Sequence, residues 1–189
     1  MKQISNFFSD PDLVRSKALL HKFWGSSNHP GGGSWPGQRT DYISIIDNQA
    51  FDVFWKAFYK AMGWPQEKSA HFETNYQICK TADGGSWVHQ DTMSQGFTHV
   101  GLVYLYPNPP ANSGTTIYQP KSGETLESLK DDKGVVSGDT SRYDIKHEFE
   151  NIYNSAVVYG PSDLHKSTGY FGDTNKDARL TQVFFIVEK

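Results

Sequence analysis

Cysteine is almost missing from this sequence: the chain has 189 residues and a single cysteine, Cys79. One cysteine excludes an intramolecular disulfide framework and also a zinc site built from several thiolates. Long apolar runs are missing too, so no segment has the length of a membrane-spanning helix. The first residues, MKQISNFFSDPD, lack the apolar centre of a secretory signal peptide. We therefore expect a soluble cytoplasmic protein.

The sequence also lacks a large excess of either positive or negative charge, since its formal net charge at pH 7 is −3. This balance offers no electrostatic case for binding nucleic acid or an acidic membrane surface. Hydrophobic residues make up 37% of the chain and aromatic residues 14%, so the chain is poor in aliphatic side chains and rich in Tyr, Phe and Trp. Such a composition favours a mainly β or α+β protein, and the length favours one domain.

The first part of the chain predicts two helices. The stretch SDPDLVRSKALLHKFW has a capping residue in Asp10 and a proline at the first helical position, and NQAFDVFWKAFYKAM predicts a helix over about 48–62. The Gly- and Pro-rich loop GSSNHPGGGSWPGQRT separates them. From about residue 69 short β segments alternate with turns, interrupted by a polar insert, GETLESLKDDKGVVSGDTSR, that predicts a short helix and loop. We predict one domain with helical support in 1–68 and a β core in 69–189.

The stretch WVHQDTM contains the first candidate metal ligands. In a strand, side chains alternate between faces, so His89 and Asp91 point the same way and Gln90 points opposite. An imidazole nitrogen and a carboxylate oxygen on one face are two of the three ligands that a metal site needs. His165, in VVYGPSDLHKSTGYFG, is the candidate third ligand, because it follows a buried-looking strand and a Gly-Pro turn. A lone histidine there more often has a structural role, and that alternative stays open.

The last predicted strand, ARLTQVFFIVEK, begins with an arginine although the rest of it is largely apolar. Arg179 and Thr181 share a face by the period-two rule. A buried guanidinium without a partner costs several kcal/mol, so Arg179 needs either a carboxylate ligand or an acidic side chain of the protein. A carboxylate ligand would fit the guanidinium fork, and Thr181 can add a hydroxyl hydrogen bond to the same group.

A His-x-Asp pair, a distant histidine and an arginine on the last core strand, in this order, resemble the 2-oxoglutarate and Fe(II)-dependent oxygenases over residues 70 to 189. The stretch THVGLVYLYPNPPANSGTTIYQP is similar to a family segment in which a strand ending in Tyr-Leu precedes a proline-rich turn. Within the family the chain looks closest to prolyl-hydroxylase-like enzymes. Segments such as WPGQRTDYI and HKSTGYFG are similar to uncharacterised bacterial and phage proteins. His-x-Asp alone is a weak signal, but the full set in order is specific.

The resemblance implies a double-stranded β-helix (jelly roll), with His165 across the barrel from His89 and Asp91. It implies that these three residues bind Fe(II) and that Arg179, Thr181 and Tyr104 hold the co-substrate 2-oxoglutarate. Dioxygen would be the second co-substrate, and an unidentified small-molecule or peptidyl substrate would be hydroxylated with release of succinate and CO2. Related halogenases have a small residue in place of the carboxylate, so Asp91 favours hydroxylation. Tyr104 can equally be a core aromatic.

Two other classes of protein stay open. A cupin-like hydrolase or isomerase would use another metal and would show extra histidine or glutamate ligands near His89. A non-catalytic jelly-roll binding or structural module would have lost one of the three ligands. The prolyl-hydroxylase-like branch also often has a co-substrate tyrosine about ten residues before the first histidine, where this chain has Cys79. Loops that can control substrate entry are SSNHPGGGSWPGQRT, TMSQGF and STGYFGDTNKD.

Overall fold

The computed structural model describes residues 1–29, 35–91, 96–130 and 140–189. Within these ranges the chain forms three α-helices and two antiparallel sheets. The helices are α1 Pro11–Ala18, α2 Ile43–Ile46 and α3 Asn48–Met62. The strands are β1 Lys2–Ile4, β2 Trp24–Gly25, β3 Gln38–Arg39, β4 Ala70–Cys79, β5 His99–Tyr104, β6 Thr115–Pro120, β7 Tyr143–Phe149, β8 Ala156–Tyr159, β9 Leu164–Ser167 and β10 Arg179–Glu188.

The two sheets face each other across the candidate site. The larger sheet has the order β1-β8-β5-β10-β4-β3-β2, and the smaller sheet has the order β7-β6-β9. The longest pairing joins β10 to β4 over ten residue pairs, from Arg179 opposite Cys79 to Glu188 opposite Ala70. This arrangement confirms the predicted jelly roll, with helices packed on the outside of the larger sheet.

Helix α3 covers the outer face of the larger sheet. Its phenylalanines Phe54 and Phe58 are fully buried, and each ring centroid lies 5.5 Å from that of Phe184 on β10. The helix begins after Asp47, whose side chain accepts a hydrogen bond from the N–H of Ala50, and it ends at Gly63 in a left-handed conformation with φ 66°. The structure confirms the predicted helix over 48–62. This helix was predictable because its capping residue and its row of apolar side chains lie within or next to its own sequence.

Helix α1 is shorter than its sequence pattern predicted. The Asp10 side chain accepts a hydrogen bond from the N–H of Leu13 and Pro11 opens the helix, as predicted, but the helix ends at Ala18. The prediction extended it to Trp24, which instead begins β2 and lies opposite Arg39 in β3. Pairing with a distant segment therefore overrides the helical periodicity at this end.

Side chains of β10 alternate between two cores. Leu180, Phe184 and Ile186 pack in the outer core with α3, whereas Val183 packs in the inner core with Leu102 and Tyr104 of β5. Arg179 and Thr181 have the same parity as Val183 and thus lie on the inner face. This placement was predicted from the sequence, and it directs the arginine toward the space between the sheets.

The polar insert that predicted a short helix is only partly described. Its first part, up to Lys130, forms turns, and its end forms a 3-10 helix at Thr140–Arg142; residues 131–139 lie outside the described residues. Parts of two predicted entry loops, 30–34 and 92–95, also lie outside them. No helix in the described ranges is long and apolar enough to cross a membrane.

Candidate metal centre

His89 and His165 come together through their backbones. The N–H of His89 donates to the carbonyl of His165 at 3.1 Å, and the N–H of His165 donates back to the carbonyl of His89 at 2.9 Å. Asp91 continues the extended segment, since its N–H donates to the carbonyl of Pro161 at 3.0 Å. His165 lies on β9 beside His89. The expectation that it lies across the barrel was therefore wrong, because β9 was not recognised as a strand.

The three predicted ligands converge in the cavity between the sheets. One ligand atom from each of His89, Asp91 and His165 can be chosen so that all lie within 4.8 Å of one another. The Nε2 of His165 is 3.7 Å from Oδ2 of Asp91, and the two imidazole centroids are 4.2 Å apart. Metal–ligand bonds of about 2.0–2.2 Å place two ligand atoms at most about 4.4 Å apart, so the distance between His165 and Asp91 fits a shared ion. Among the described residues, this is the one group of three or more such side chains that can hold a metal.

Both imidazoles are oriented by hydrogen bonds to backbone carbonyls. Nδ1 of His89 lies 2.9 Å from the carbonyl oxygen of Trp87, and Nδ1 of His165 lies 2.9 Å from that of Asp163. A carbonyl oxygen only accepts, so each Nδ1 must carry the proton and donate it. Each neutral ring then presents an unprotonated Nε2, which is the atom that coordinates a metal. The donor set therefore fits a divalent ion that prefers nitrogen and oxygen.

Burial controls the protonation of the triad. Burial lowers the pKa of His165 to about 4. For His89, burial is the main cause and repulsion from His165 the second, and together they lower the pKa to about 4. Burial raises the pKa of Asp91, against the opposing effect of His89 and Arg39. At neutral pH the two imidazoles are uncharged and free to coordinate.

Arg179 lies in the same cavity, and its side chain is only 2% exposed. Its Nε donates to the carbonyl of Ser113 at 2.9 Å, and its Nη2 donates to the carbonyl of Gly114 at 3.2 Å. No acidic side chain of the described ranges pairs with it, so the internal ion pair considered from the sequence is not formed there. A guanidinium has five N–H donors, and the two carbonyls leave donors available for a ligand.

Two further predicted residues surround this guanidinium. The Tyr104 ring centroid lies 5.5 Å from Cζ of Arg179, and the Tyr104 hydroxyl lies 2.8 Å from Oγ1 of Thr115. Thr181 lies opposite Tyr104 in the sheet and is fully buried. Its Oγ1 has no hydrogen-bond partner among the described residues. A buried hydroxyl without a partner is costly, and it marks a position where a ligand oxygen can bind.

A second arginine in the cavity was missed by sequence reasoning. Arg39 lines the space that also holds the triad and Arg179. It belongs to the two-residue strand β3, next to β4, in a region that reads as a Gly- and Pro-rich loop. The available signal was a lone arginine in WPGQRT, and only the pairing with β4 directs it inward.

Comparison with known proteins supports the fold assignment. No family model and no curated protein matches the sequence. Among solved structures, EvdO2 from Micromonospora carbonacea var. aurantiaca gives a TM-score of 0.64 at 14% identity, over 98% of this chain and 85% of that one. HygX from Streptomyces hygroscopicus, with nickel and 2-oxoglutarate bound, gives 0.63 at 10% identity, over 99% and 82%.

A third similar structure carries a peptide. The prolyl hydroxylase from Trichoplax adhaerens, in complex with a fragment of the hypoxia inducible factor oxygen degradation domain, gives a TM-score of 0.62 at 12% identity. The match covers 99% of this chain and 83% of that one. This chain shares their fold. At such low identity the likeness is one of architecture, and the chemistry must be argued from the residues of the site.

Proposed function

We propose that this protein is a non-haem Fe(II) and 2-oxoglutarate-dependent dioxygenase that hydroxylates a substrate and releases succinate and CO2. The observation that carries the proposal is the convergence of His89, Asp91 and His165 in a cavity that also holds Arg179. Two imidazoles and one carboxylate are the ligand set typical of this iron chemistry. HygX with iron bound and EvdO2 complexed with 2-oxoglutarate share the fold, which supports the same assignment.

The metal would be held by Nε2 of each histidine and by the carboxylate of Asp91. When bound, Fe(II) supplies the activation of dioxygen at coordination positions that the protein leaves open. The carbonyls of Trp87 and Asp163 hold the imidazoles in the required tautomer. Asp91 is a carboxylate where the related halogenases have a small residue, which favours hydroxylation.

The co-substrate would be anchored by Arg179 in the same cavity. The free donors of Arg179 would bind the far carboxylate of 2-oxoglutarate, the hydroxyl of Thr181 would donate to the same group, and Tyr104 would pack beside it. Burial strengthens such pairs, because few waters compete for the donors. A cytoplasmic location and kinship with bacterial and phage members of the family belong to the same proposal.

Spectroscopy under nitrogen tests this proposal. Adding 2-oxoglutarate to the Fe(II)-loaded protein should produce a weak charge-transfer band in the visible range, because the 2-oxo acid chelates the iron. Asp91→Ala should show no band, whereas Asp144→Ala, which removes an exposed carboxylate on β7, should keep it. A wild-type protein that binds Fe(II) and 2-oxoglutarate separately without any band would contradict the proposal. Failure to bind either would favour the non-catalytic jelly-roll module.

A further inference from the structure

Arg39 places a second positive charge inside the candidate active site. It lies on β3, opposite Gln77 of β4, and it lines the cavity together with the triad. Its Nη2 donates to Oε1 of Gln77 at 3.2 Å, and its Cζ lies 5.1 Å from the ring centroid of Trp35. These contacts hold the guanidinium in place, but neither of them neutralises its charge.

Two N–H groups at this position lack acceptors among the described residues. The Nε of Arg39 is shielded from solvent and has no hydrogen-bond partner in the described part of the chain, and the same holds for Nε1 of Trp35. No acidic side chain in the described ranges forms an ion pair with Arg39. A buried N–H group without an acceptor costs about 1–3 kcal/mol, so an unfilled acceptor position beside Arg39 is a costly feature to keep. It points to a ligand that brings oxygen atoms.

Charge balance indicates that this ligand is not the co-substrate, if the proposed function holds. The two positive charges of Fe(II) and the one of Arg179 are balanced by the single charge of Asp91 and the two of 2-oxoglutarate. Cys79, Tyr159 and Tyr170 near Arg39 stay uncharged at pH 7, since burial raises the pKa of each. The loaded site would therefore keep one uncompensated positive charge in its cavity, that of the half-buried Arg39, whose Nε is shielded from solvent. An unpaired charge in a cavity is unfavourable, because the cavity removes part of its hydration, and a negatively charged partner relieves that cost.

We infer that Arg39 is a specificity-determining residue that binds a carboxylate group of the substrate to be hydroxylated. This inference rests on the proposed function and narrows its substrate class. A carboxylate has one negative charge and two coplanar oxygens, which match both the missing charge and the guanidinium fork. The substrate would then present a carboxylate to Arg39, as a free amino acid does and an unmodified nucleobase does not.

Acetate and acetamide are matched probes for this position, because they have nearly the same shape and differ in charge. The full-length protein is loaded with Mn(II) and saturated with 2-oxoglutarate, so that the triad and Arg179 are occupied. Relaxation of the probe methyl protons by Mn(II) then reports binding close to the metal. We expect wild-type protein to bind acetate at least about tenfold more tightly than acetamide, the low end for a charge-assisted pair.

Four variants test whether Arg39 causes the preference for acetate over acetamide. Arg39→Met should abolish the preference for acetate, and Arg39→Lys should keep part of it. Lys56→Met should keep all of it, because Lys56 also lies over a tryptophan ring, 5.5 Å from the centroid of Trp55, but on the outer helix α3. Arg179→Met gives the reference value for a loss of 2-oxoglutarate affinity, to which the affinity of Arg39→Met is compared. Circular dichroism and thermal unfolding establish that each variant is folded.

Three results would overturn the inference. The first is equal binding of acetate and acetamide to wild-type protein, and the second is a preference that survives in Arg39→Met. The third is a loss of 2-oxoglutarate affinity in Arg39→Met as large as in Arg179→Met, which would make Arg39 part of the co-substrate anchor. None of these three affects the charge-transfer band of the Fe(II) protein. Failure of this inference is therefore distinguishable from failure of the proposed oxygenase function.

Discussion

The backbones of His89 and His165 hydrogen-bond to each other in both directions, at 3.1 and 2.9 Å. This bridge places the two imidazoles side by side, with their ring centroids 4.2 Å apart. Two residues 76 positions apart in sequence are thereby fixed by the same kind of bond that holds the sheets together. Backbone hydrogen bonds thus hold the two candidate ligands close together, which would reduce the ordering cost of metal binding.

Removal of the carboxylate tests the triad without disturbing this bridge. In Asp91→Ala we expect loss of 2-oxoglutarate turnover, because two imidazoles alone do not complete the ligand set. Succinate formation measures the effect, and the far-ultraviolet circular dichroism should match wild type. The exposed Asp144→Ala serves as the matched control. Wild-type succinate formation by Asp91→Ala would show that this carboxylate is not a ligand.

The stability of the metal-free protein should fall in acid. Each histidine of the triad has a folded-state pKa of about 4, below an ordinary value of about 6.5. Between these values the unfolded chain takes up protons that the native state does not, so stability decreases as pH falls from 6.5 toward 4. From pH 7 to pH 5 the loss should be about 2 kcal/mol per histidine as an upper figure. Urea unfolding in the presence of a chelator measures it.

A histidine replacement checks the origin of this loss. In His165→Gln the decrease between pH 7 and pH 5 should be less than half that of wild type, since one imidazole is gone and the pKa of His89 is no longer lowered by repulsion from His165. His147→Gln removes an exposed imidazole from β7 and is the control. The same low pKa values mean that protons compete for the ligands mainly near pH 4. Metal affinity should therefore persist below pH 6.5, the ordinary value for a histidine, and fall as pH approaches 4.

Local patterns predicted some elements of this protein, and distant pairing decided the others. Helix α3 has its cap, its apolar stripe and its terminating glycine within its own sequence, so its bounds were predictable. The strand β9 carries the polar sequence LHKS and exists because it lies between β6 and His89. Arg39 was missed for the same reason, since two residues give no periodicity to read.

Close packing at Gly101 offers a test of the β core. A Cβ atom there would lie 1.9 Å from the carbonyl oxygen of Val157 and 2.8 Å from Cζ of Phe184. Gly101→Ala should therefore lower the free energy of unfolding by about 1–3 kcal/mol, since backbone must move. Gly25→Ala is the matched control, because a Cβ at Gly25 meets nothing within 4 Å, and its effect should stay within about 0.5 kcal/mol. Equal losses of unfolding free energy in Gly101→Ala and Gly25→Ala would contradict the close packing at Gly101.

The co-substrate anchor is tested by Arg179→Met, which keeps the length of the side chain and removes the fork. A charge-assisted bond contributes about 1.5–3 kcal/mol, so affinity for 2-oxoglutarate should fall roughly 10- to 150-fold. Calorimetric titration with a redox-inert metal measures this affinity. Metal binding itself should be nearly unchanged, because the ligands lie on other segments. Lysine at position 179 should restore part of the loss, since it keeps the charge without the fork.

A second arginine provides the control for that experiment. Arg142→Met breaks the pair with Glu124, in which the two nitrogen–oxygen distances are 2.9 and 2.7 Å, outside the cavity. It should leave the affinity for 2-oxoglutarate as in wild type. Unchanged affinity in Arg179→Met would exclude this residue as the anchor. The oxygenase proposal would then depend on the metal triad alone.

Thr181→Val separates a ligand-binding hydroxyl from a structural one by the sign of its effect on stability. The Oγ1 of Thr181 is buried without a partner in the described ranges, so replacing it with a methyl group should leave stability unchanged or raise it by up to about 1 kcal/mol. If this hydroxyl binds the co-substrate carboxylate, affinity for 2-oxoglutarate should nevertheless fall about tenfold or more.

Thr115→Val is the contrasting variant, because its Oγ1 lies 2.8 Å from the hydroxyl of Tyr104. Its replacement leaves a buried phenol without its partner and should cost about 1–3 kcal/mol of stability. Thermal unfolding of both variants measures their stability, and calorimetric titration measures their affinity for 2-oxoglutarate. A destabilised Thr181→Val with wild-type affinity would assign its hydroxyl to the fold. A stable Thr181→Val with weakened binding would assign it to the co-substrate, because a structural hydrogen bond cannot be removed without a cost in stability.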